Sequence, residues 1–336
     1  MAATIKDVAK EANVSPSTVS RVLTNNPKIS DETKERVYKA VEKLKYYPNA
    51  MARSLAHNST KILGLILPSA AEDFHKNLFF IELMTGIGVA AKEREYNIMY
   101  SFGRNEKDEL SCIKKFTNSK LVDGVILLTS RSNDKCIKYL KSIDYPFVVV
   151  GRPEEVKDVI WVDNDNFEAM YSVTSTFIEK GFKNIAFIGG PEGLNVSIDR
   201  MDGFTRSMKA HCMEIKKELV VSSEEFEEKA GYEAMMKILD KDIPDAVITA
   251  DDLIAIGAMK AIKEKNIEDK IAVVGFNNIP IAVYQNPPLS SVEINTYDLG
   301  YNASKLLLDR LKEENYSKYN HFIVKTTLIE RESSNL

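Results

Sequence analysis

From residue 61 onward, short runs of consecutive apolar residues alternate with amphipathic segments of three to four helical turns. The runs are "KILGLILPS" (61–69), "YNIMYSFG" (96–103), "VDGVILLTS" (122–130) and "YPFVVVGRP" (145–153), then "NIAFIGGP" (184–191), "DAVITADD" (245–252) and "IAVVGFNN" (271–278). Helical patterning fills 81–95, 108–119, 166–180, 200–211, 229–239, 253–265 and 298–314. A strand that is apolar on both faces has to be covered on both faces. Such strands alternating with helices therefore specify parallel sheets with helices on either side. Two sets of strands predict two α/β lobes. The chain has 336 residues, beyond what a single core supports.

The first 45 residues have a different texture. Thr4 stands where it caps a helix, with Asp7 at the capping-box position and Val8 and Ala9 inside. "ANV" breaks that helix. Ser15 then caps a second one, "PSTVSRVL", whose first position is Pro16. "TNNPK" ends it. Ser30 caps a third, in which Val37, Ala40, Val41 and Leu44 recur at helical spacing. "YYPN" closes the unit. Val8, Val19 and Val22 supply a small core, and Ala9 and Ala12 let the first two helices approach.

Charge separates the same two regions. Residues 1–60 hold ten Lys/Arg and six Asp/Glu, a net of +4; the remainder hold 35 and 43, a net of −8. A small basic head on an acidic body suggests a polyanion as the partner of the head. Helix, tight turn and helix is also the spacing of a helix-turn-helix, whose second helix enters the DNA major groove. Ser17, Thr18, Ser20 and Arg21 are the polar positions of that helix. The competing reading is a three-helix module that binds protein. It makes the chain a protein-interaction adaptor, and binding to duplex DNA that falls steeply with salt separates the two.

Other classes find little support. Cys112, Cys136 and Cys212 lie far apart, as neither a disulfide framework nor a zinc site. His57, His75, His211 and His321 are scattered without metal-ligand spacing. "GIGVAA" (86–91) fits a dinucleotide fingerprint but lies inside a helical segment, not between a strand and a helix start. No nucleophile elbow or Walker loop occurs. An enzyme is not expected, and neither is a cofactor. The polar N-terminus has no signal core and no run approaches a membrane span, so a cytoplasmic, nucleoid-associated protein is expected.

The stretch "TIKDVAKEANVSPSTVSRVLTNNPKISDETKERVYKAVEKLKYYPNAMARSL" resembles, without a gap, the head of the LacI/GalR (lactose-repressor) family of transcription regulators. The likeness continues more loosely through "ADDLIAIGAMKA", "VVGFNN" and "NPPLSSVEIN". "LPSAAEDFHKNLFF", "ILLTSRSNDK" and "WVDNDN" are most similar to maltose-operon repressors of Gram-positive bacteria. The resemblance implies a helix-turn-helix head (1–46), a hinge (47–60) and a two-lobed effector domain like the periplasmic binding proteins (61–336). One lobe would hold about 61–160 and 292–322, the other about 163–290 and 323–336, with chain crossings near 160, 290 and 320.

The resemblance also implies roles. Ser15, Ser17, Thr18, Ser20, Arg21 and Asn25 would contact DNA in and beside the major groove, and Thr4 a backbone phosphate. Pro16 and Ser17 would occupy the positions that set base preference. Pro16 offers a base edge only apolar contact. Hydroxyls and amides at a helix N-terminus suit phosphate on physical grounds too, although Ser15 is equally a plain N-cap. Ser69, Arg200, Asp251 and Asn277 would surround a small sugar between the lobes. There, carboxylate, amide and guanidinium groups match paired hydroxyls, at the carboxyl ends of strands where ligands of open parallel sheets sit. Arg152 lies at another such end. Phe79, Phe80 and Trp161 have the surfaces to stack on a sugar, and core packing is their ordinary alternative. Relative to the lactose repressor, Asp251 and Asn277 exchange acid and amide, and Gly151 replaces an acid, which predicts a different hydroxyl pattern in the ligand.

"PNAMARSLA" (48–56) is too short for a stable isolated helix and has no apolar stripe for Leu55 to join. As a hinge in this family it would fold over the operator minor groove. Leu55 would wedge between base steps, and Asn49, Ala52 and Ala56 would permit close approach. A homodimer on a near-palindromic operator is expected. The end "TTLIERESSNL" has no heptad pattern for a tetramer-forming tail. A catabolite-type regulator with a phosphoprotein corepressor is the alternative within the family.

Overall fold

In the computed structural model, which describes residues 3–24, 26–47, 59–68, 78–312 and 320–335, the head forms three helices. They are α1 (Ile5–Glu11), α2 (Pro16–Leu23) and α3 (Asp31–Lys43). At the start of α1 the Asp7 carboxylate accepts from both the backbone N–H and the hydroxyl of Thr4, each at 2.8 Å. Ser15 Oγ accepts from the Thr18 amide at 3.1 Å, which satisfies an orphan donor of α2. Val8, Val19, Val22 and Val37, with Ala9, Ala12 and Ala40, make the buried core. Each fully buried valine contributes roughly 1.5 kcal/mol or more. These side chains are small, so the helices can pack closely around few atoms. Residues 1–60 form one compact unit and 61–336 another.

The second unit contains two six-stranded sheets. The first holds β1 (Ile62–Leu67), β2 (Asn97–Phe102), β3 (Gly124–Leu127), β4 (Phe147–Val150), β5 (Ile160–Asn164) and β11 (His321–Val324). Its order is β11-β5-β4-β3-β1-β2, and it is parallel throughout. The second holds β6 (Ile185–Gly189), β7 (Val220–Ser222), β8 (Ala246–Thr249), β9 (Ala272–Asn277), β10 (Ser290–Glu293) and β12 (Thr327–Ile329). Its order is β12-β10-β9-β8-β6-β7, with only β12 antiparallel. The two-lobed α/β architecture expected from the apolar runs is therefore present.

Helices cover both faces: α4 (Leu78–Glu93), α5 (Glu106–Asn118), α6 (Lys135–Ser142), α7 (Asn166–Glu179), α8 (Asn195–Ala210), α9 (Glu228–Leu239), α10 (Asp252–Glu264) and α11 (Thr296–Leu311). The chain passes between the sheets three times, after β5, β10 and β11. Asn164 ties these passages together: its Nδ2 donates to the carbonyls of Ile294 and Val324, each at 3.0 Å. Gly86 of "GIGVAA" lies within α4. A Cβ there would stand 2.1 Å from the Tyr297 carbonyl oxygen of α11, and one on Gly300 of α11 would stand 2.1 Å from that of Leu83. These glycines serve close helix packing.

The sequence reading missed β5, β7, β10, β11, β12 and α6, and it began α8 five residues late. Ser290 and Ser291 of β10 are fully buried but polar, paired with Ser334 and Asp252, so the strand carries no apolar run. Helix α8 begins after Leu194, which provides no side-chain cap. Among the described residues, no helix is long and apolar enough to cross a membrane.

Candidate functional site

Between the two lobes of the second unit lies a cavity of about 830 Å³. It opens at the carboxyl ends of the parallel strands. Pro68 follows β1, Ser130 and Arg131 follow β3, and Gly151 follows β4. Asp163 and Asn164 end β5, and Asn277 ends β9. Phe79 and Phe80 line it from α4, with ring centroids 5.2 Å apart in an edge-to-face arrangement. Phe226 lines it from the other lobe.

A continuous line of hydrogen bonds runs through its floor. Asp163 Oδ1 accepts from Asn166 Nδ2 at 3.0 Å, and Asn166 Oδ1 accepts from Arg200 Nε at 2.9 Å. Arg200 donates onward to the Ala250 carbonyl and, at 3.3 Å, to Asn277 Oδ1. Asn277 Nδ2 then donates to Asp251 Oδ2 at 2.7 Å. Two carboxyls thus end a network centred on one guanidinium, itself 3.7 Å above the Phe276 ring. Burial sets the electrostatics. It pushes Asp163 and Asp251 up to about 6, against the backbone donors each accepts and the nearby Arg200 charge. The same desolvation lowers Arg200 to about 10, opposed first by Asp251 and then by Asp163.

The structure places Arg200 in the second turn of α8, not at its start, and buries it to 4% exposure. Asp251 is both a helix cap and a residue of the cavity lining. Its Oδ1 accepts from the Leu253 amide at 2.7 Å while Oδ2 meets Asn277. Phe79, Arg200, Asp251 and Asn277 come together around the cavity. Trp161 and Arg152 do not line it, which corrects the expectation for both. Side chains alternate along β5, so Trp161 joins the core on the far face of the sheet and stacks on His321 at 4.8 Å. The Arg152 guanidinium lies 5.9 Å over that indole, and the residue is exposed. It serves the site through its backbone, whose N–H donates to Asp163 Oδ2 at 2.8 Å. Ser69 lies outside the described residues.

Sequence reasoning passed over Asp163, Asn166 and Asn195. The run "DNDN" directly after an apolar strand is the signal for the first two. Asn195 joins the lobes on one flank. Its Nδ2 donates to Ser130 Oγ at 2.8 Å and to the Arg152 carbonyl at 2.9 Å, and its N–H donates to the Ser130 carbonyl at 3.0 Å. No group of three or more His, Cys, Asp or Glu suited to a metal occurs among the described residues.

In the head, Ser15, Pro16 and Ser17 are exposed at the start of α2 and Arg21 is exposed in its last turn. Thr18 and Ser20 are partly exposed. The Ser15 hydroxyl lies 2.7 Å from that of Ser17 and 2.9 Å from that of Thr18. Three hydroxyls therefore cluster where the amides of a helix N-terminus also point. Thr4 is held at the start of α1 by Asp7. Asn25, Asn49, Ala52 and Leu55 lie outside the described residues.

Comparison with known proteins adds to this geometry. The model of bacterial regulatory proteins, lacI family, matches residues 4–49, and that of a periplasmic binding protein-like domain matches residues 174–334. The HTH-type transcriptional regulator MalR of Streptococcus pneumoniae serotype 4 is 37% identical over 322 residues, 95% of each chain. A solved complex of the transcriptional regulator CelR with cellobiose is 30% identical, with a TM-score of 0.76 over 98% of this chain and 99% of that one. A lac repressor dimer bound to operator and an anti-inducer has a TM-score of 0.86 over 99% of each chain. At 20% identity, that likeness is one of fold.

Proposed function

The chain belongs to the lacI family of bacterial regulatory proteins, and on that premise we propose that it represses a sugar-utilisation operon of the maltose or maltodextrin type. A small sugar between the lobes releases it from its operator. One observation carries the sugar half of this reading: the Asp163–Asn166–Arg200–Asn277–Asp251 network in the floor of the inter-lobe cavity. Its acceptors and donors alternate over a few ångströms, as adjacent sugar hydroxyls do, and the flanking phenyl rings suit the apolar faces of a pyranose. The relative named MalR and the cellobiose complex of CelR support the same class of ligand.

The DNA half rests on α2. Ser15, Ser17, Thr18, Ser20 and Arg21 address the major groove. The Ser15 cluster and Thr4 meet phosphates, and Pro16 makes apolar contact. Asn25 lies beside the groove. Asn49, Ala52 and Leu55 form a hinge over the minor groove, with Leu55 as the wedge. Two copies related by a two-fold axis read a near-palindromic site. Sugar binds the closed arrangement of the lobes more tightly than the open one, and that differential affinity is all it has with which to move the operator equilibrium. In this reading the protein is a cytoplasmic regulator and performs no chemistry.

Thermal denaturation across a sugar panel tests the ligand half. Maltose or a maltodextrin raises the melting temperature, since a ligand of the folded state stabilises it by mass action. Arg200→Ala abolishes the rise and leaves operator binding in place. A panel without any stabilising sugar, or a full shift in the variant, contradicts the assignment.

A further inference from the structure

We propose that the cavity selects uncharged oligosaccharides and rejects phosphorylated sugars, through an acidic rim formed by Glu192, Glu224, Glu225 and Glu227. This rests on the sugar-sensing reading above and specifies which sugars it admits. All four residues line the cavity. Three of them flank Phe226 in the run "EEFEE", and Glu192 follows the second lobe's first strand. Glu192, Glu224 and Glu225 are exposed, so they sit where an arriving ligand first meets the protein.

A site for a phosphorylated sugar needs uncommitted cations or open helix N-termini. Among the described residues the lining offers few of either. Arg131 is engaged fork-to-fork by the buried Glu109, with both N–O distances at 2.7 Å. Arg200 already donates to Asn166, Ala250 and Asn277. Arg104 is the third lining arginine among the described residues, and the three stand against four glutamates. Three helix N-termini beside the cavity already have partners. The N-terminus of α10 is already capped by the Asp251 carboxylate and that of α7 by Asp165. At α8 the first amide, of Asn195, donates to the Ser130 carbonyl. A phosphate dianion would therefore enter a negative field in which Arg131 and Arg200 are already engaged by the protein.

Volume points to a ligand longer than one ring. At the packing density of a protein interior a hexose unit fills roughly 180 Å³, so a single hexose leaves most of the 830 Å³ to water. Two or three linked units fill more of the cavity that Phe79, Phe80 and Phe226 line.

Calorimetric titration of the full chain with glucose, maltose, maltotriose and maltose 6′-phosphate tests the proposal. Maltose and maltotriose bind more tightly than glucose. The phosphorylated disaccharide binds at least about tenfold more weakly than maltose at low salt, because like charges are brought together. Added salt narrows the gap by screening the exposed rim. The double substitution Glu224→Gln with Glu225→Gln narrows it too, its unliganded melting temperature serving as the check on folding. Equal or tighter binding of the phosphorylated sugar overturns the proposal and leaves the sugar-sensing reading standing. So does a gap that neither salt nor the double variant changes. Failure of every sugar to bind, charged or neutral, removes the sugar-sensing reading itself.

Discussion

Asp251 and Asp163 are held in the floor of the cavity with affinities for a proton close to those of a histidine. Burial raises both from 3.8 to about 6. In the proposed sugar-sensing reading they accept ligand hydroxyls as ionised carboxylates; once protonated, each loses acceptor capacity. Sugar affinity is therefore expected to hold above about pH 7 and to fall as pH drops through 6, by about tenfold per unit where one carboxylate is required. Calorimetry between about pH 5 and pH 8 reads this directly, and Asp251→Asn reduces the slope. A flat profile in the parent protein contradicts the role given to these acids. Stability runs the other way. Both groups bind protons more tightly folded than unfolded, so their stabilising contribution is full below about pH 3.8 and is lost as pH rises through about 6. At this scale the sequence was legible where a polar residue follows an apolar strand, as with Asp251 and Asn277. It was misleading at Trp161, because a strand's two faces cannot be told apart when both are buried. Arg200 entered through the family resemblance, and its partner Asn166 was hidden in a polar run.

Among the elements, α2 was legible to the residue because Ser15 and Pro16 are unambiguous start signals. The start of α8 was not, because Leu194 caps nothing. Short edge strands such as β7 and β12 escaped because three residues carry no periodicity. The stretch "PNAMARSLA" poses the functional question at this scale. A segment of this length is marginal as an isolated helix, so its formation over DNA is easily decided by whatever holds its ends. Leu55→Ala is expected to weaken binding to a specific operator by about tenfold or more while nonspecific binding changes little, since only a kinked site rewards the wedge. Electrophoretic or fluorescence titration on operator and scrambled duplexes measures both. An equal loss on the two would make the stretch a linker and no more.

For the whole molecule, the alternation of apolar runs and helices was enough to read two lobes, because a doubly covered parallel sheet is the packing such runs permit. The exchange of strands between lobes was less visible. It depends on β10 and β11, whose buried serines and exposed Phe322 and Ile323 disguise them. The charge division, +4 on residues 1–60 and −8 on the rest, matches the division of labour proposed here. A basic head binds a polyanion, and an acidic body receives a neutral ligand. The central claim is that these two events are coupled, which requires the sugar to favour the state that binds DNA less well. The most direct test is operator affinity measured at fixed salt with increasing maltose or maltotriose. The account predicts a saturable weakening of specific binding, by about tenfold or more. Unchanged affinity at saturating sugar, or tighter binding, contradicts it.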